Sequence, residues 1–84
     1  MDGKEYNGWE HEDDSLTRDF EFKNFQEALA FVNIVGTIAE ESKHHPDIIL
    51  FDYNCVSIIT KTHDANNTVT QKDYDLVDKI NSVV

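Results

Sequence analysis

The 84-residue chain has one cysteine, Cys55, one proline, Pro46, and three glycines. A single thiol cannot close an intrachain disulfide, and without a C-x-x-C pair there is no thiolate set for a structural zinc site. Basic residues are also scarce, seven Lys and Arg against seventeen Asp and Glu, for a formal charge of -10, and no two of the seven are adjacent. Phosphate backbones and anionic membrane surfaces repel such a chain, so neither nucleic acid nor membrane is an expected partner. The acidity itself reads as a well-solvated surface. No apolar run approaches the ~20 residues of a membrane span, and Met1-Asp2-Gly3-Lys4-Glu5 lacks the apolar stretch of a secretory signal. With the lone cysteine suited to a reducing compartment, a cytoplasmic location is expected.

A chain this short forms one domain, residues 1–84, because two cores would each fall below a self-sufficient size. Domains of this size bury only roughly 60 to 65% of their unfolded surface and commonly need a staple. With neither disulfide nor zinc to supply it, self-association is the expected supplement.

The first fifteen residues are polar and acidic, broken by Asn7-Gly8-Trp9, and read as an irregular arm or a short edge strand anchored by Trp9. From Thr17 to Lys23, Phe20 and Phe22 alternate with Asp19, Glu21 and Lys23, the period of a half-buried strand. Asn24 is a good helix N-cap with Glu27 three residues on, and Ala28, Phe31, Val32, Val35, Ile38 and Ala39 then make a helical stripe. Gly36, costly inside a helix, suggests close packing there. The helix should stop before His44-His45-Pro46, since the residue preceding a proline is pushed out of the α region.

Ile48 to Phe51 and Val56 to Thr62 are β-branched and aromatic runs that read as an antiparallel pair turning at Tyr53-Asn54. Asp64 to Asn67 is turn chemistry. Thr70 then caps a last helix with Asp73 three residues on, carrying inward Tyr74, Val77 and Ile80, or Leu76, Ile80, Val83 and Val84. The expected fold is α+β in the order strand, helix, strand, strand, helix, with room for a short N-terminal strand and both helices on one face of an antiparallel sheet. Phe20, Phe22, Phe25, Phe31 and Phe51 are core candidates; Trp9 and Tyr53 are either core or a platform for a flat heterocycle.

Three of the four histidines fall at element junctions, where sites usually form: His44 and His45 after the first helix, His63 after the last strand. The hairpin brings the end of one strand beside the start of the other, so His63 can approach the pair. Imidazoles exchange protons near neutrality without large shifts, which suits a hydration or dehydration. Glu40, one helical turn before His44, can hold one imidazole in a single tautomer, and Asp73 can do so from the other side. Taken singly these residues have plainer readings: His-His-Pro is a common helix stop, His63 a turn residue, Glu40 and Asp73 surface charges. Three histidines and a carboxylate could also bind zinc, but adjacent histidines diverge and the spacing matches no compact metal motif. His11 sits in the acidic arm as a solvated residue.

The order Glu40-x-x-x-His44-His45-Pro46, Tyr53, Thr62-His63-Asp64 and Asp73, with Gly8-Trp9 and Phe20-x-Phe22-Lys23-Asn24-Phe25 before it, resembles the pterin-4a-carbinolamine dehydratase family. The family is known in animals also as dimerisation cofactors of a homeodomain transcription factor. The resemblance runs from Gly8 to about Ile80. It implies an α+β fold with helices on one side of a four-stranded antiparallel sheet, and dehydration of a 4a-hydroxytetrahydropterin to quinonoid dihydropterin and water, without metal or cofactor. It also implies a homodimer or homotetramer and a link to an aromatic amino-acid hydroxylase. His44, His45 and His63 match the family's site, with Asp73 beside it; the implied roles are acid and base for His44 and His63, and orientation of the pterin for His45. The chain departs from the family at Asp64 to Val69, where relatives often carry a glycine-containing turn. The competing expectation is a non-catalytic oligomeric interaction protein or transcriptional coactivator of the same fold.

Overall fold

The computed structural model describes residues 5–62 and 68–84. His63 and the turn expected at Asp64 to Asn67 lie outside the described residues. In chain order the elements are β1 (Glu5–Tyr6), β2 (Trp9–Glu12), β3 (Ser15–Glu21), α1 (Phe25–Ser42), β4 (Asp47–Phe51), β5 (Cys55–Thr60) and α2 (Gln71–Asn81). The strands form one antiparallel sheet in the order β1-β2-β3-β5-β4. The α+β class and the sheet with two helices are as expected, but the sheet has five strands rather than four. The difference is the N-terminal arm. Asn7 and Gly8 both adopt positive φ, 51° and 93°, and turn β1 into β2 as a two-residue hairpin, the backbone an Asn-Gly pair favours. A second turn, with Asp13 at φ 51°, leads into β3.

Alternation decides which side chains enter the core. On β5, Val56, Ile58 and Thr60 are buried while Cys55, Ser57 and Ile59 are half-buried on the opposite face. Their partners Phe20 and Leu16 on β3, and Ile48 and Leu50 on β4, share the inner face. Over this face α1 lays Ala28, Phe31, Val35 and Ala39, with Val32 and Ile38 flanking, as the helical stripe anticipated. From α2 come Leu76, Val77 and Ile80. Trp9 is fully buried, packs against Phe20 and donates from its indole to Asn81 Oδ1 at 2.9 Å, tying the first hairpin to α2.

Several expectations about individual side chains are corrected. Phe25 opens α1 on its outer side and Phe51 ends the edge strand β4, so both are exposed rather than core. Val83 and Val84 are exposed because α2 stops at Asn81, and Tyr74 is half-buried against Tyr6. Gly36 marks no close packing: nothing lies within 4 Å of the position its Cβ would take. β3 begins at Ser15 and ends before Phe22, whose amide donates to the Asn54 carbonyl. β5 ends at Thr60; Thr62 continues only as an isolated bridge to Thr68.

Candidate functional site

Three element ends meet at one seam: the C-terminus of α1, the exit of β5 and the N-terminus of α2. Helix α1 ends as expected, with Lys43 in the left-handed region at φ 55°. The His44 amide reaches back to the Ala39 carbonyl and the Lys43 amide to that of Glu40, the paired bonds of a Schellman stop. His44 is therefore off the helix, and its ring turns toward α2. The β4–β5 register sets Asp47 opposite Ile59, which brings the start of β4 beside the end of β5. At the first turn of α2, Thr70 and Asp73 form a reciprocal capping box.

Asp73 is the centre of the seam. Its side chain has no exposed surface and the His44 side chain is 11% exposed, and His44 Nε2 lies 2.6 Å from Asp73 Oδ1. Thr60 Oγ1 donates to the same oxygen at 2.6 Å; Thr62 Oγ1 at 2.7 Å and the Thr70 amide at 2.9 Å donate to Oδ2. Burial alone would push the carboxyl pKa up. The hydrogen bonds from Thr60, His44, Thr62 and the Thr70 amide outweigh it and hold the group below its ordinary value of 3.8. An ionised Asp73 only accepts, so the network assigns a proton to His44 Nε2, and among the described residues nothing bonds Nδ1.

His45 points elsewhere. Its Nε2 lies 2.7 Å from Glu40 Oε2, and the two side chains are 63% and 78% exposed. The expectation that Glu40 sits one turn before His44 on the same helical face is thus corrected, because His44 has left the helix; Glu40 meets His45 instead. The structure brings Glu40, His44, His45 and Asp73 to one end of the sheet as two separate imidazole–carboxylate pairs. Tyr53, at φ 56° in the β4–β5 turn and largely exposed, stands at the other end of that hairpin. Among the described residues no three His, Cys, Asp or Glu side chains gather as a metal site.

Thr60 is not singled out in the sequence, and Thr62 is named there only as the residue before His63; both close a β-branched run. The available signal was their register: they continue the inner face of Val56 and Ile58, so a hydroxyl there needs a buried partner. A separate open hollow of about 360 Å³ is lined by Gly8, Glu10, Glu12, Thr17, Arg18 and Asp19. None of the candidate residues reaches it, and its carboxylates offer no platform for a flat heterocycle.

Fold and seam together define an α+β domain with helices over one face of an antiparallel sheet and a buried carboxylate holding an imidazole where helix meets strand. The chain belongs to the pterin 4 alpha carbinolamine dehydratase family, whose profile matches residues 2–83. A relative from Thermomicrobium roseum, provisionally named a pterin-4-alpha-carbinolamine dehydratase, is 47% identical over 77 residues, 92% of this chain and 81% of its own. One from Sulfolobus acidocaldarius with the same provisional name is 42% identical, over 94% of this chain and 85% of its own. A crystal structure from Brucella melitensis, described as a transcriptional coactivator/pterin dehydratase, superposes with a TM-score of 0.82 at 34% identity, over 92% of this chain and 82% of that one. A pterin dehydratase-like protein identified as a RuBisCO assembly factor in the alpha-carboxysome shares the fold, at TM-score 0.73 and 17% identity, over 96% of this chain and 94% of that one.

Proposed function

We propose that this protein dehydrates a 4a-hydroxytetrahydropterin to quinonoid dihydropterin and water. One observation carries the reading: in a member of this family, His44 is held through Nε2 by a buried Asp73 at 2.6 Å, which leaves Nδ1 for proton transfer. A protonated imidazole delivers its proton to the departing 4a-hydroxyl, and a neutral imidazole takes the ring-nitrogen proton, so the C–N double bond forms as water leaves. Atoms balance without metal, cofactor or oxidant. His44 and His63 carry the acid and base work, Asp73 holds His44, Glu40 pairs with His45 at the surface, and His45 meets and orients the pterin. The substrate is the product expected of an aromatic amino-acid hydroxylase, which makes such an enzyme the functional partner. The reaction is placed in the cytoplasm, in keeping with the free thiol of Cys55; no described helix is long and apolar enough to cross a membrane.

Self-association to a homodimer or homotetramer is part of the proposal. It is supported by the edge strand β4, where Ile49 is 47% and Phe51 38% exposed, since an edge strand is a template for pairing with another chain. A second reading, an interaction protein without catalysis, draws on the coactivator description of the Brucella melitensis structure. The His44–Asp73 pair weighs against it, since capping α2 accounts for the carboxylate but not for the imidazole held against it.

The test is the decay of the 4a-carbinolamine absorbance when an aromatic amino-acid hydroxylase is coupled to the purified protein, with His44→Ala and His63→Ala variants alongside. Acceleration by the wild type that each variant loses supports the dehydratase. A folded wild-type protein that leaves the decay unchanged rejects it and turns the reading to the scaffold.

A further inference from the structure

We infer that the hydroxyls of Thr60 and Thr62 are positioning groups for proton transfer at His44, each donating to one oxygen of Asp73 and together fixing the direction of the bond that holds the imidazole. The kinetic consequence rests on the dehydratase reading; the effect on the ring does not.

Packing does not require these hydroxyls. Thr60 and Thr62 are buried at the end of the inner row that begins with Val56 and Ile58, and valine has nearly the same shape as threonine without its hydroxyl. A buried hydroxyl there costs free energy unless paired, and both are paired to the same carboxylate, at 2.6 Å and 2.7 Å. The Thr62 proton is committed to Asp73 Oδ2, so in the 2.7 Å contact between Thr62 Oγ1 and Thr70 Oγ1 it is Thr70 that donates. The result is a one-way chain from Thr70 through Thr62 to Asp73. The Thr70 amide and the Thr60 hydroxyl complete the set of neutral donors.

Neutral donors have a consequence that a lysine or arginine would not. Among the described residues, His44 is the one titratable group bonded to Asp73. Hydroxyls keep the carboxylate anionic without cancelling its charge, so its pull remains directed at the imidazole. Remove one hydroxyl and one oxygen of Asp73 loses a fixed donor, so the carboxylate can turn within its pocket and the bond to His44 Nε2 loses its set direction, which moves the ring off the position needed for chemistry.

The full-length chain is compared with Thr60→Val, Thr62→Val and Thr60→Ser by ¹⁵N spectra of the His44 ring and by the coupled decay assay. The wild type should show the Nε2–H tautomer. Either valine variant should show a shifted or broadened Nε2–H signal and a kcat lower by about tenfold, with KM changed less than about twofold. Thr60→Ser, which keeps the hydroxyl and drops the methyl, should restore both. Folded valine variants with the wild-type ring spectrum and kcat overturn the inference, as does a folded serine variant as impaired as the valine one. Should Thr60→Val fail to fold, Thr62→Val, acting on the other oxygen, decides it. If the wild type proves inactive, the dehydratase reading fails while the ring spectra still decide the tautomer.

Discussion

Replacing Asp73 by Asn keeps the shape of the side chain, removes its charge and turns one acceptor oxygen into a donor. The Thr70 amide can only donate and lies 2.9 Å from Oδ2, so the asparagine oxygen should face Thr70 and Thr62 while its NH2 faces Thr60 Oγ1 and His44 Nε2. His44 Nε2 then has to accept, and the ring proton moves to Nδ1. Hydrogen bonds to a charged group contribute roughly 1.5–3 kcal/mol each against about 0.5–1.5 for neutral ones, so exchanging the set loses about 4 kcal/mol gross. Relief from burying a charge offsets about half of this, leaving a net loss of about 2 kcal/mol. In a domain of this size that lowers Tm by roughly 8–16 °C, measurable by circular dichroism or calorimetry. Activity should fall much further, by about 10² to 10⁴ in kcat, because a correctly placed imidazole in the wrong tautomer cannot do the proton transfer. A folded Asp73→Asn protein that keeps the Nε2–H ring signal and a kcat within about threefold of wild type would refute the reasoning.

The charge on Asp73 also predicts a pH dependence. Its folded pKa lies below the ordinary 3.8, so its stabilisation is fully present above that value and is lost as pH falls through the folded pKa. Asparagine does not titrate, so denaturant melts should show a wild-type advantage over Asp73→Asn that closes as pH falls below 3.8; an advantage that persists undiminished well below that value contradicts the assignment. Trp9→Ala removes a fully buried ring and its bond to Asn81, and should cost about 3–5 kcal/mol in a urea titration followed by far-UV circular dichroism. The two described glycines should respond with opposite sign. Gly36→Ala, in open space within α1, should raise stability by about 0.5–1 kcal/mol. Gly8→Ala, at φ +93° with its Cβ 3.2 Å from Arg18 Nη1, should lower it by about 1 kcal/mol or more, and equal melting points for the two variants would contradict the hairpin geometry.

The elements most legible in the sequence were those written by period and cap together. The stripe from Ala28 to Ala39 between Asn24 and the His44-His45-Pro46 stop gave α1, and the box of Thr70 and Asp73 gave the start of α2, because local chemistry decides both. The first hairpin was less visible. β1 is two residues long and β2 alternates Trp9 and His11 with glutamates, too short a pattern to stand out, although Asn7-Gly8 is itself the strongest short hairpin signal. Phe25 and Phe51 show a different limit. Composition marks a phenylalanine as core, but position decides, and one sits on the outer side of a helix start while the other ends an edge strand. At the seam the sequence offered Glu40, His44, His45 and Asp73 without their pairing. That pairing depends on whether His44 remains on the helix, and a single left-handed residue, Lys43, settles it.

That one residue also explains why neighbouring histidines cannot share a role. His44, thrown off the helix toward α2, is clamped at 2.6 Å by a carboxylate with no exposed surface, which is itself fixed by three further donors. Any other ring position would cost the buried carboxylate one of its donors, so both the ring and its tautomer are held. His45 meets a glutamate that is 78% exposed, and a surface pair of this kind contributes only about 0–1 kcal/mol, too little to hold a long side chain in one place. A rigid imidazole with a defined proton suits the chemical step, where geometry must be set before the substrate arrives. A mobile one at the rim suits contact with a pterin that must enter and leave. The division of labour proposed for the two histidines therefore follows from the burial of their carboxylates, and exchanging those surroundings, more than exchanging the histidines, would exchange their roles.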